Sequence, residues 1–398
     1  MSVATSSVTV RPVAKKRDLK AFIDLPFRLH AGTKWVPPLK LERRILLAKK
    51  GPFQNAFFTH GDAEYFLAER DGKVVGRISA QVDHNFNEYQ QSKWGSFGFV
   101  EFEDDQEILD ALLTAAGDWI REQGMERMVG PIDLHINNEA GLLVEGYEKD
   151  PIILQPWHPE YYKARFEEAG LTKAMDLLMW SLVIDDKDKV HPAIFEAAAK
   201  AETEHGLRIE KMTRRSLSAD YKGPFRELFN AAWSKNWGYS PYTEADIKAL
   251  GEESQLAYTK EWMMKAVDQD DNVVGMAITI PDLNQVLAKM KGKLFPFGWW
   301  HFAFGRKKIT RIRVGFLGVQ PDRQHTGAAA LLYREHFDAA HRTPVRTGEM
   351  GWILETNKAM NWAMQGMNGK LSKRYRIYDR PLVEGVEPLP EPIPWDAA

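Results

Sequence analysis

Two stretches of the 398-residue chain carry the same order of strand and helix patterns, and this repeat restricts the possible folds more than any other feature. Each stretch begins with two apolar strands joined by a polar turn, continues with a third strand and an amphipathic helix, and ends with a strand, a helix and a strand. The tripeptide Val-Val-Gly occupies 74–76 in the first stretch and 273–275 in the second. Strand–helix alternation also arises by chance, but the shared order favours a duplicated α/β domain.

The repeat gives bounds for each copy. In the first copy we expect strands at 64–68, 74–80, 97–102, 125–134 and 175–184 and helices at 108–123 and 159–169. In the second copy we expect strands at 262–267, 273–280, 312–319, 351–355 and 375–378 and helices at 328–341 and 359–366. The predicted domains are 1–190 and 200–383, joined by a charged stretch and an Ala-rich helix near 185–205. A Pro-rich, acidic tail at 384–398 is expected to be extended or poorly ordered.

Composition excludes several classes of protein. Lys and Arg number 53 against 55 Asp and Glu, and the net charge of -2 argues against a nucleic-acid-binding protein. With no cysteine, the chain has no disulfide, thiolate zinc site or cysteine nucleophile, and no His/carboxylate spacing resembles a metal-ligand motif. The N-terminus lacks the apolar run of a signal peptide, and no apolar stretch approaches the roughly 18–20 residues that span a bilayer. We therefore expect a cytoplasmic protein without a metal.

The most informative motif lies at 314–332, where an apolar strand ends, a Pro-Asp turn follows, and a loop rich in Gly and Ala opens a helix. Backbone N–H groups at a helix start are unpaired and lie at the positive end of the helix dipole, so they bind phosphate oxygens. Gly327 and Ala329 are small enough to let a pyrophosphate approach the backbone. Arg323 and His325 add charge or hydrogen-bond donors beside them. The alternative is an ordinary helix start with a Gly turn.

The pattern Gln324-x-x-Gly327-x-Ala329 between a strand and a helix resembles the coenzyme A loop of the GNAT superfamily of acyl-CoA-dependent N-acyltransferases, Gln/Arg-x-x-Gly-x-Gly/Ala. The order of elements extends this resemblance over most of the chain, whereas the motif occurs only in the second half. The resemblance implies an α/β (α+β) fold of two tandem GNAT-like domains, each a mixed, mostly antiparallel central sheet flanked by helices. It also implies acyl-CoA as a co-substrate and no tightly bound cofactor.

The same resemblance assigns residues to the coenzyme. The strand end would pair with the pantetheine arm, the loop N–H groups would cradle the pyrophosphate, and an Asn after the next strand would contact the coenzyme. The residues at these positions are Leu317, Gly318, Val319, Gln324, His325, Thr326, Gly327, Ala328, Ala329 and Asn357. In the first half, the matching loop at 103–107 has four carboxylates and no glycine, so that domain is expected to lack a coenzyme site.

Catalytic residues are less clearly marked. Many GNAT members have a tyrosine seven residues after that Asn, where it protonates the leaving thiolate, but this chain has Met364. Tyr378 is a nearby alternative, although tyrosines in cores or hairpins are commoner. Glu355 and Glu349, on the strand beside the coenzyme strand, are the predicted bases for the amine. The alternative is that each is an ordinary solvated or salt-bridged residue. A backbone N–H near Gly318 is expected to stabilise the oxyanion.

A segment before the motif combines aromatic and basic residues. From 283 to 321 there is no Asp or Glu, and eight Lys or Arg residues lie around the sequence LFPFGWWHFAFGRKK. Such a segment is typical of an element that inserts aromatic rings into a membrane interface beside anionic headgroups, with Trp299 and Trp300 as substrate-binding residues. The alternative is an insertion that packs its aromatic residues against the other domain.

A polar loop at 130–147 contains His135, Asn137 and Asn138, which are candidates for binding a polar head group; a surface loop without a ligand is the alternative. The chain as a whole resembles the large bacterial GNAT-type proteins that include the bacterial ceramide synthases. This resemblance implies transfer of a long fatty acyl chain to the amine of a lipid such as a sphingoid base. The aromatic and basic segment in turn leads us to expect peripheral contact with the inner membrane. Acetyl transfer to a small amine or peptide, and acyl-CoA binding without turnover, are the alternatives.

Overall fold

The computed structural model describes residues 7–397, which form two compact units. The first unit contains the chain up to Leu177, together with 290–296 and 373–392. The second contains 178–289, 297–372 and the residues from Ile393 onward. Each unit is therefore assembled from more than one chain segment.

Within these residues the chain forms thirteen strands and thirteen α-helices. The strands are β1 (Thr9–Pro12), β2 (Gly61–Arg70), β3 (Lys73–Asp83), β4 (Trp94–Phe102), β5 (Arg127–Gly130), β6 (Leu142–Glu145), β7 (Thr172–Val183), β8 (Arg208–Lys211), β9 (Met263–Val267), β10 (Val273–Pro281), β11 (Arg311–Val319), β12 (Thr347–Leu354) and β13 (Lys370–Pro381). The helices are α1 (Lys16–Leu29), α2 (Lys40–Leu46), α3 (His84–Gln90), α4 (Gln106–Glu122), α5 (Tyr161–Glu168), α6 (Pro192–Thr203), α7 (Leu217–Asp220), α8 (Arg226–Trp233), α9 (Glu244–Ala257), α10 (Asn284–Met290), α11 (Gly298–Gly305), α12 (Ala328–His341) and α13 (Lys358–Gly366). None of these helices, over residues 7–397, is long and apolar enough to cross a membrane.

Each unit contains strands of both directions. In the first unit the strand order is β1–β2–β3–β4–β5–β13, and β6 also pairs with β13. In the second unit the order is β7–β12–β11–β10–β9–β8. The β4–β5 pair and the β11–β12 pair are parallel, whereas β1–β2, β2–β3, β3–β4, β5–β13, β8–β9, β9–β10 and β10–β11 are antiparallel. The predicted fold class, with mixed and mostly antiparallel sheets flanked by helices, is confirmed.

The strand register shows that the two units share one plan. The Val-Val-Gly tripeptides place Gly76 opposite the last residue of β4 and Gly275 opposite the last residue of β11. A Cβ atom on Gly76 would lie 2.8 Å from Ile108 of α4, and one on Gly275 would lie 3.2 Å from the carbonyl oxygen of Gly318 and 3.4 Å from Leu332 of α12. The glycine therefore lets the following helix pack closely on the strand, which is a physical reason for the recurrence of the tripeptide.

Helices cover both faces of the sheet in the second unit. α6, α12 and α13 pack on one face through buried residues such as Ala198, Leu331 and Met364. The other face packs against α7, α8 and α9, with an aromatic cluster that includes Phe229 and Phe316. Full burial of one such Leu or Phe side chain contributes about 1.5–3 kcal/mol.

Some predicted bounds differ from the observed ones. β5 ends at Gly130, not at 134, because Pro131 has no N–H to donate to the sheet, and the next eleven residues form a loop. β13 is longer than the predicted 375–378. Residues 384–397 contain no helix or strand, yet the Trp395 ring lies 5.9 Å from that of Trp180. The tail is therefore extended but packed at this tryptophan.

Candidate functional site

The two parallel strands of the second unit separate part way along their length. β11 and β12 pair from Arg311–Thr347 to Val314–Met350, and beyond these pairs their described residues are not partners of each other. A bulge at Gly315 shifts the register between β11 and β10 at the same point. Beyond residue 314 the backbone edge of β11 therefore has no partner in β12 in the described register, and we call it the open edge of β11.

The loop after β11 ends in a helix start that is suited to an anion. Residues Pro321–Thr326 form a 3-10 turn, and Gly327 leads into α12. Within the described part of the chain, no side chain caps this helix, and its first turn contains no acidic residue. The N–H groups of Ala328, Ala329 and Ala330 thus lie at the positive end of the helix dipole with no capping side chain.

Gly327 is required by the fold as well as by the approach of an anion. Its φ of 77° is in the left-handed region, and a Cβ atom here would lie 2.6 Å from the carbonyl oxygen of Ala197 in α6. A larger residue would strain the backbone and separate α6 from α12. A loss of binding after substitution of Gly327 would therefore not isolate the role of the loop.

One arginine and two histidines lie at the loop, which also contains the exposed Asp322. His325 and His205 are exposed, and their rings lie 6.2 Å apart. The Arg323 guanidinium is 45% exposed and 4.0 Å from the carboxylate of Asp268. The hydroxyl of buried Thr326 donates to the carbonyl oxygen of Arg323 and so holds the turn. Gln324 is exposed between them. The loop thus directs positive or hydrogen-bonding groups towards solvent beside the helix start.

The matching helix start in the first unit is occupied by carboxylates. Asp105 caps α4 by accepting a hydrogen bond from the Glu107 N–H at 2.9 Å, and its other oxygen binds Arg70 at 2.6 Å. Glu103 binds Arg28 at 2.6 Å. The carboxylates of 103–107 thus lie at this helix start, where a negative charge repels a phosphate.

The edge of β4 that corresponds to the open edge of β11 is also filled. The Asp133 carboxylate accepts a hydrogen bond from the Phe99 N–H at 2.7 Å, and the Ile132 N–H donates to the carbonyl oxygen of Phe97 at 2.7 Å. Burial, together with the charge of Glu139, raises the pKa of Asp133 to about 7. The sequence analysis did not identify this contact, and the only sequence signal for it was Pro131, which ends β5.

The two predicted bases lie on or after β12. Glu349 is buried, and its carboxylate lies 3.5 Å from the guanidinium of Arg311, which also binds Asp282 at 2.6 Å. Glu355 follows the end of β12 and is only 1% exposed, and its carbonyl oxygen accepts a hydrogen bond from the Trp395 N–H at 2.7 Å. Glu349 is therefore part of an ion-pair network, whereas Glu355 lies at the end of the strand that separates from β11.

Three other predicted positions have clear structural surroundings. Met364 is fully buried in the core, so a tyrosine there would point into the core. Asn357 caps α13 by accepting a hydrogen bond from the Met360 N–H at 3.1 Å. Tyr378 belongs to the first unit, where its ring lies 5.3 Å from that of Phe166 and burial raises its pKa. The structure does not bring Tyr378 together with the two glutamates in one unit.

The polar loop of the first unit is held by its own side chains. His135 is buried with a ring nitrogen 3.7 Å from the Asp83 carboxylate, and its Nδ1 accepts a hydrogen bond from the Asn137 N–H at 3.1 Å. The side chain of Asn138 is exposed and donates to the carbonyl oxygen of Asp133 at 3.1 Å. These contacts fix the loop that fills the edge of β4.

Aromatic side chains cover one face of β11 near its open edge. The Trp233 ring of α8 stacks on Phe316 with centroids 4.6 Å apart, and Phe229 stacks on Trp233 at 5.7 Å. The sequence analysis missed this cluster, because no periodic pattern connects residues of α8 with those of β11. Trp299 and Trp300 lie elsewhere in the second unit, on α11, where they are 46% and 54% exposed.

Comparisons with known proteins agree with this geometry. No protein-family model matches the chain. The chain is 33% identical over 389 residues to the bacterial ceramide synthase of Caulobacter vibrioides (strain NA1000 / CB15N), covering 95% of this chain and 98% of that protein. It is also 33% identical over 380 residues to protein YghO of Escherichia coli (strain K12), covering 93% and 95%.

Two solved structures have the same fold at low sequence identity. A tandem GNAT protein from the clavulanic acid biosynthesis pathway has a TM-score of 0.56 and 12% identity, covering 96% of this chain and 100% of that one. A GCN5-related N-acetyltransferase from Sphaerobacter thermophilus has a TM-score of 0.53 and 12% identity, covering 96% and 97%. The repeated plan of the two units is therefore that of a tandem GNAT fold.

Proposed function

Since the chain belongs to the family of GNAT acyltransferases that includes the bacterial ceramide synthase, we propose that it transfers a long fatty acyl chain from acyl-CoA to the amine of a lipid such as a sphingoid base. The relative's name supports the acceptor class, and the exposed aromatic residues of α11 suit a lipid substrate. The observation that carries the proposal is the uncapped start of α12 beside the open edge of β11.

The coenzyme would bind across these two features. Its pyrophosphate would accept hydrogen bonds from the N–H groups of Ala328, Ala329 and Ala330, where the helix dipole favours negative charge. Its pantetheine arm would extend along the edge of β11 between Gly315 and Val319, which carries no β12 partner in the described register. The first unit would bind no coenzyme, because a carboxylate caps its helix and a loop fills its strand edge.

The reaction needs one proton to move from nitrogen to sulfur. The amine nitrogen attacks the thioester carbonyl carbon, and the carbon–sulfur bond of the tetrahedral intermediate then breaks. A backbone N–H near Gly318 would stabilise the oxyanion. Glu355 would take the amine proton, directly or through water, and return it to the departing thiolate. Glu349 is the second candidate, but its ion pair with Arg311 leaves it less available.

The release of coenzyme A thiol tests this proposal. We would compare acyl-CoAs from acetyl to palmitoyl, with and without sphinganine and 3-ketosphinganine. The proposal predicts amine-dependent release that is confined to long chains. Release with acetyl-CoA alone would point to a small-amine acetyltransferase, and binding without release would point to a non-catalytic acyl-CoA-binding protein; either result would contradict the proposal.

The glutamates can be separated in the same assay. We expect Glu355→Gln to lower kcat by about 100-fold or more, the usual contribution of a positioned base, with little change in the affinity for acyl-CoA. Glu349→Gln is the matched variant on the same segment, and its effect is expected to be on stability through the lost ion pair. A normal kcat for Glu355→Gln would exclude that residue as the base.

A further inference from the structure

α11 directs large aromatic side chains to solvent. Trp300 and Phe304 lie one turn apart on one face of the helix, and Phe297 immediately precedes it. They are 77%, 54% and 55% exposed, and the rings of Trp300 and Phe304 lie 4.3 Å apart. Contiguous exposed rings on a protein surface mark an interaction site.

The opposite side of α11 is anchored within the second unit. Gly298 is buried, and Gly305 packs against Val286 of α10. The guanidinium of Arg306 lies over the half-buried Phe302 ring, 5.2 Å from its centroid. The helix is therefore held from its inner side, and its outer rings remain in contact with water.

Positive charge adjoins these rings. Arg306, Lys307 and Lys308 form the turn that follows α11, and both lysines are exposed. The segment from 283 to 321 contains no Asp or Glu that could neutralise them. α11 itself carries no Lys, Arg, Asp or Glu. Uncharged rings on a helix with cations at its end are complementary to a lipid surface, where rings enter the acyl boundary and cations contact phosphates.

We propose that α11 and the basic turn after it, residues 297–308, dock this protein on an anionic membrane surface. Docking would bring the enzyme to the lipid layer that holds a lipid acceptor, and in this respect the inference rests on the proposed function. The docking step itself uses neither acyl-CoA nor the coenzyme site.

Vesicle binding tests the aromatic part of the surface. Full-length protein is mixed with vesicles of 70% phosphatidylcholine and 30% phosphatidylglycerol, without acyl-CoA, and the bound fraction is measured by flotation. We expect Trp300→Ala combined with Phe304→Ala to weaken partitioning at least tenfold. Trp362→Ala is the matched control, because Trp362 is 59% exposed on α13 of the same unit, and it should partition normally.

A second pair of variants tests the charges. Lys307→Gln with Lys308→Gln should lower binding to the anionic vesicles by about 20- to 30-fold, at roughly fivefold per charge. Binding to pure phosphatidylcholine should be unaffected. Lys200→Gln with Lys248→Gln changes the net charge equally at exposed positions on α6 and α9 and should have no effect.

Three results would overturn the docking proposal. The first is a failure of the native protein to bind anionic vesicles, and the second is a loss of binding in Trp362→Ala as large as in the α11 variant. Alternatively, the α11 variant would dissociate a dimer in sedimentation velocity without changing vesicle binding, which would make the surface an interface between copies. Acylation in detergent without vesicle binding would refute docking alone, and vesicle binding without thiol release would refute the proposed function alone.

Discussion

Ala329→Asp places a carboxylate in the first turn of α12, where we propose that the coenzyme pyrophosphate binds. Ala329 is the second residue of this helix and is half-buried. A carboxylate at a helix N-terminus interacts favourably with the helix dipole by about 0.3–1 kcal/mol, so the fold should be retained. The same charge repels a pyrophosphate. The free energy of unfolding should therefore hold or rise while the affinity for acyl-CoA falls.

The size of the effect follows from Coulomb's law. Two unit charges about 5 Å apart repel by about 1 kcal/mol in bulk water and by about 3 kcal/mol at the effective dielectric constant near a protein surface. The KM for acyl-CoA should therefore rise by about 5- to 150-fold, with kcat little changed at saturation. Steady-state thiol release gives the KM, and the rise should shrink at 0.5 M salt, where charges are screened.

Ala329→Asn is the matched control, because it has nearly the same shape without the charge. Its KM should stay within about threefold of the native value, as a change of size alone costs little at a half-buried position. An equal rise in KM for the Asp and Asn variants would show that size, and not charge, matters. A folded Asp variant with a native KM would refute the placement of the pyrophosphate at α12.

Three further changes test the account of stability. Burial lowers the pKa of His336 to about 4, so the neutral imidazole is favoured in the folded state. Its contribution to stability is complete above the pKa of the unfolded chain and is lost as the pH falls towards 4. Denaturant titrations of His336→Gln should show that the native protein's advantage falls by about 2 kcal/mol between pH 7.5 and pH 5; a constant difference would contradict this. The raised pKa of Asp133 gives the opposite pH dependence. The protonated carboxyl is favoured in the folded state, and the stability it contributes at low pH is lost as the pH rises through about 7. Thermal melts should therefore show Asp133→Asn to be more stable than the native protein at pH 8 and similar at pH 4. Gly76→Ala should lower the free energy of unfolding by about 1–3 kcal/mol through overpacking against α4, with an unchanged KM for acyl-CoA; a native stability would refute the packing argument.

The repeated architecture was predictable because it depends on local patterns. The tripeptides at 74–76 and 273–275 occupy the same register position in the two units, and the helix predicted at 328–341 has these bounds in the structure. Helical periodicity and Gly327 mark that helix in the sequence. The family and the acyltransferase class follow from the same motif and are confirmed by the comparisons.

Other features depend on contacts between distant residues, which no local pattern encodes. The Asp133 carboxylate reaches the Phe99 N–H only because the chain turns back after β5. The packing of Gly327 against Ala197 depends on how α6 meets α12. The sequence analysis did not predict helix α11 in the aromatic segment before β11, because its aromatic residues are not confined to one face and so give no amphipathic pattern.

The most direct test of the central claim is a crystal structure with palmitoyl-CoA bound. We expect one coenzyme per chain, with its pyrophosphate within hydrogen-bond distance of the N–H groups of Ala328–Ala330 and its pantetheine arm along β11 between Gly315 and Val319. Coenzyme at the start of α4, in the first unit, would contradict it. So would a coenzyme held away from both helix starts.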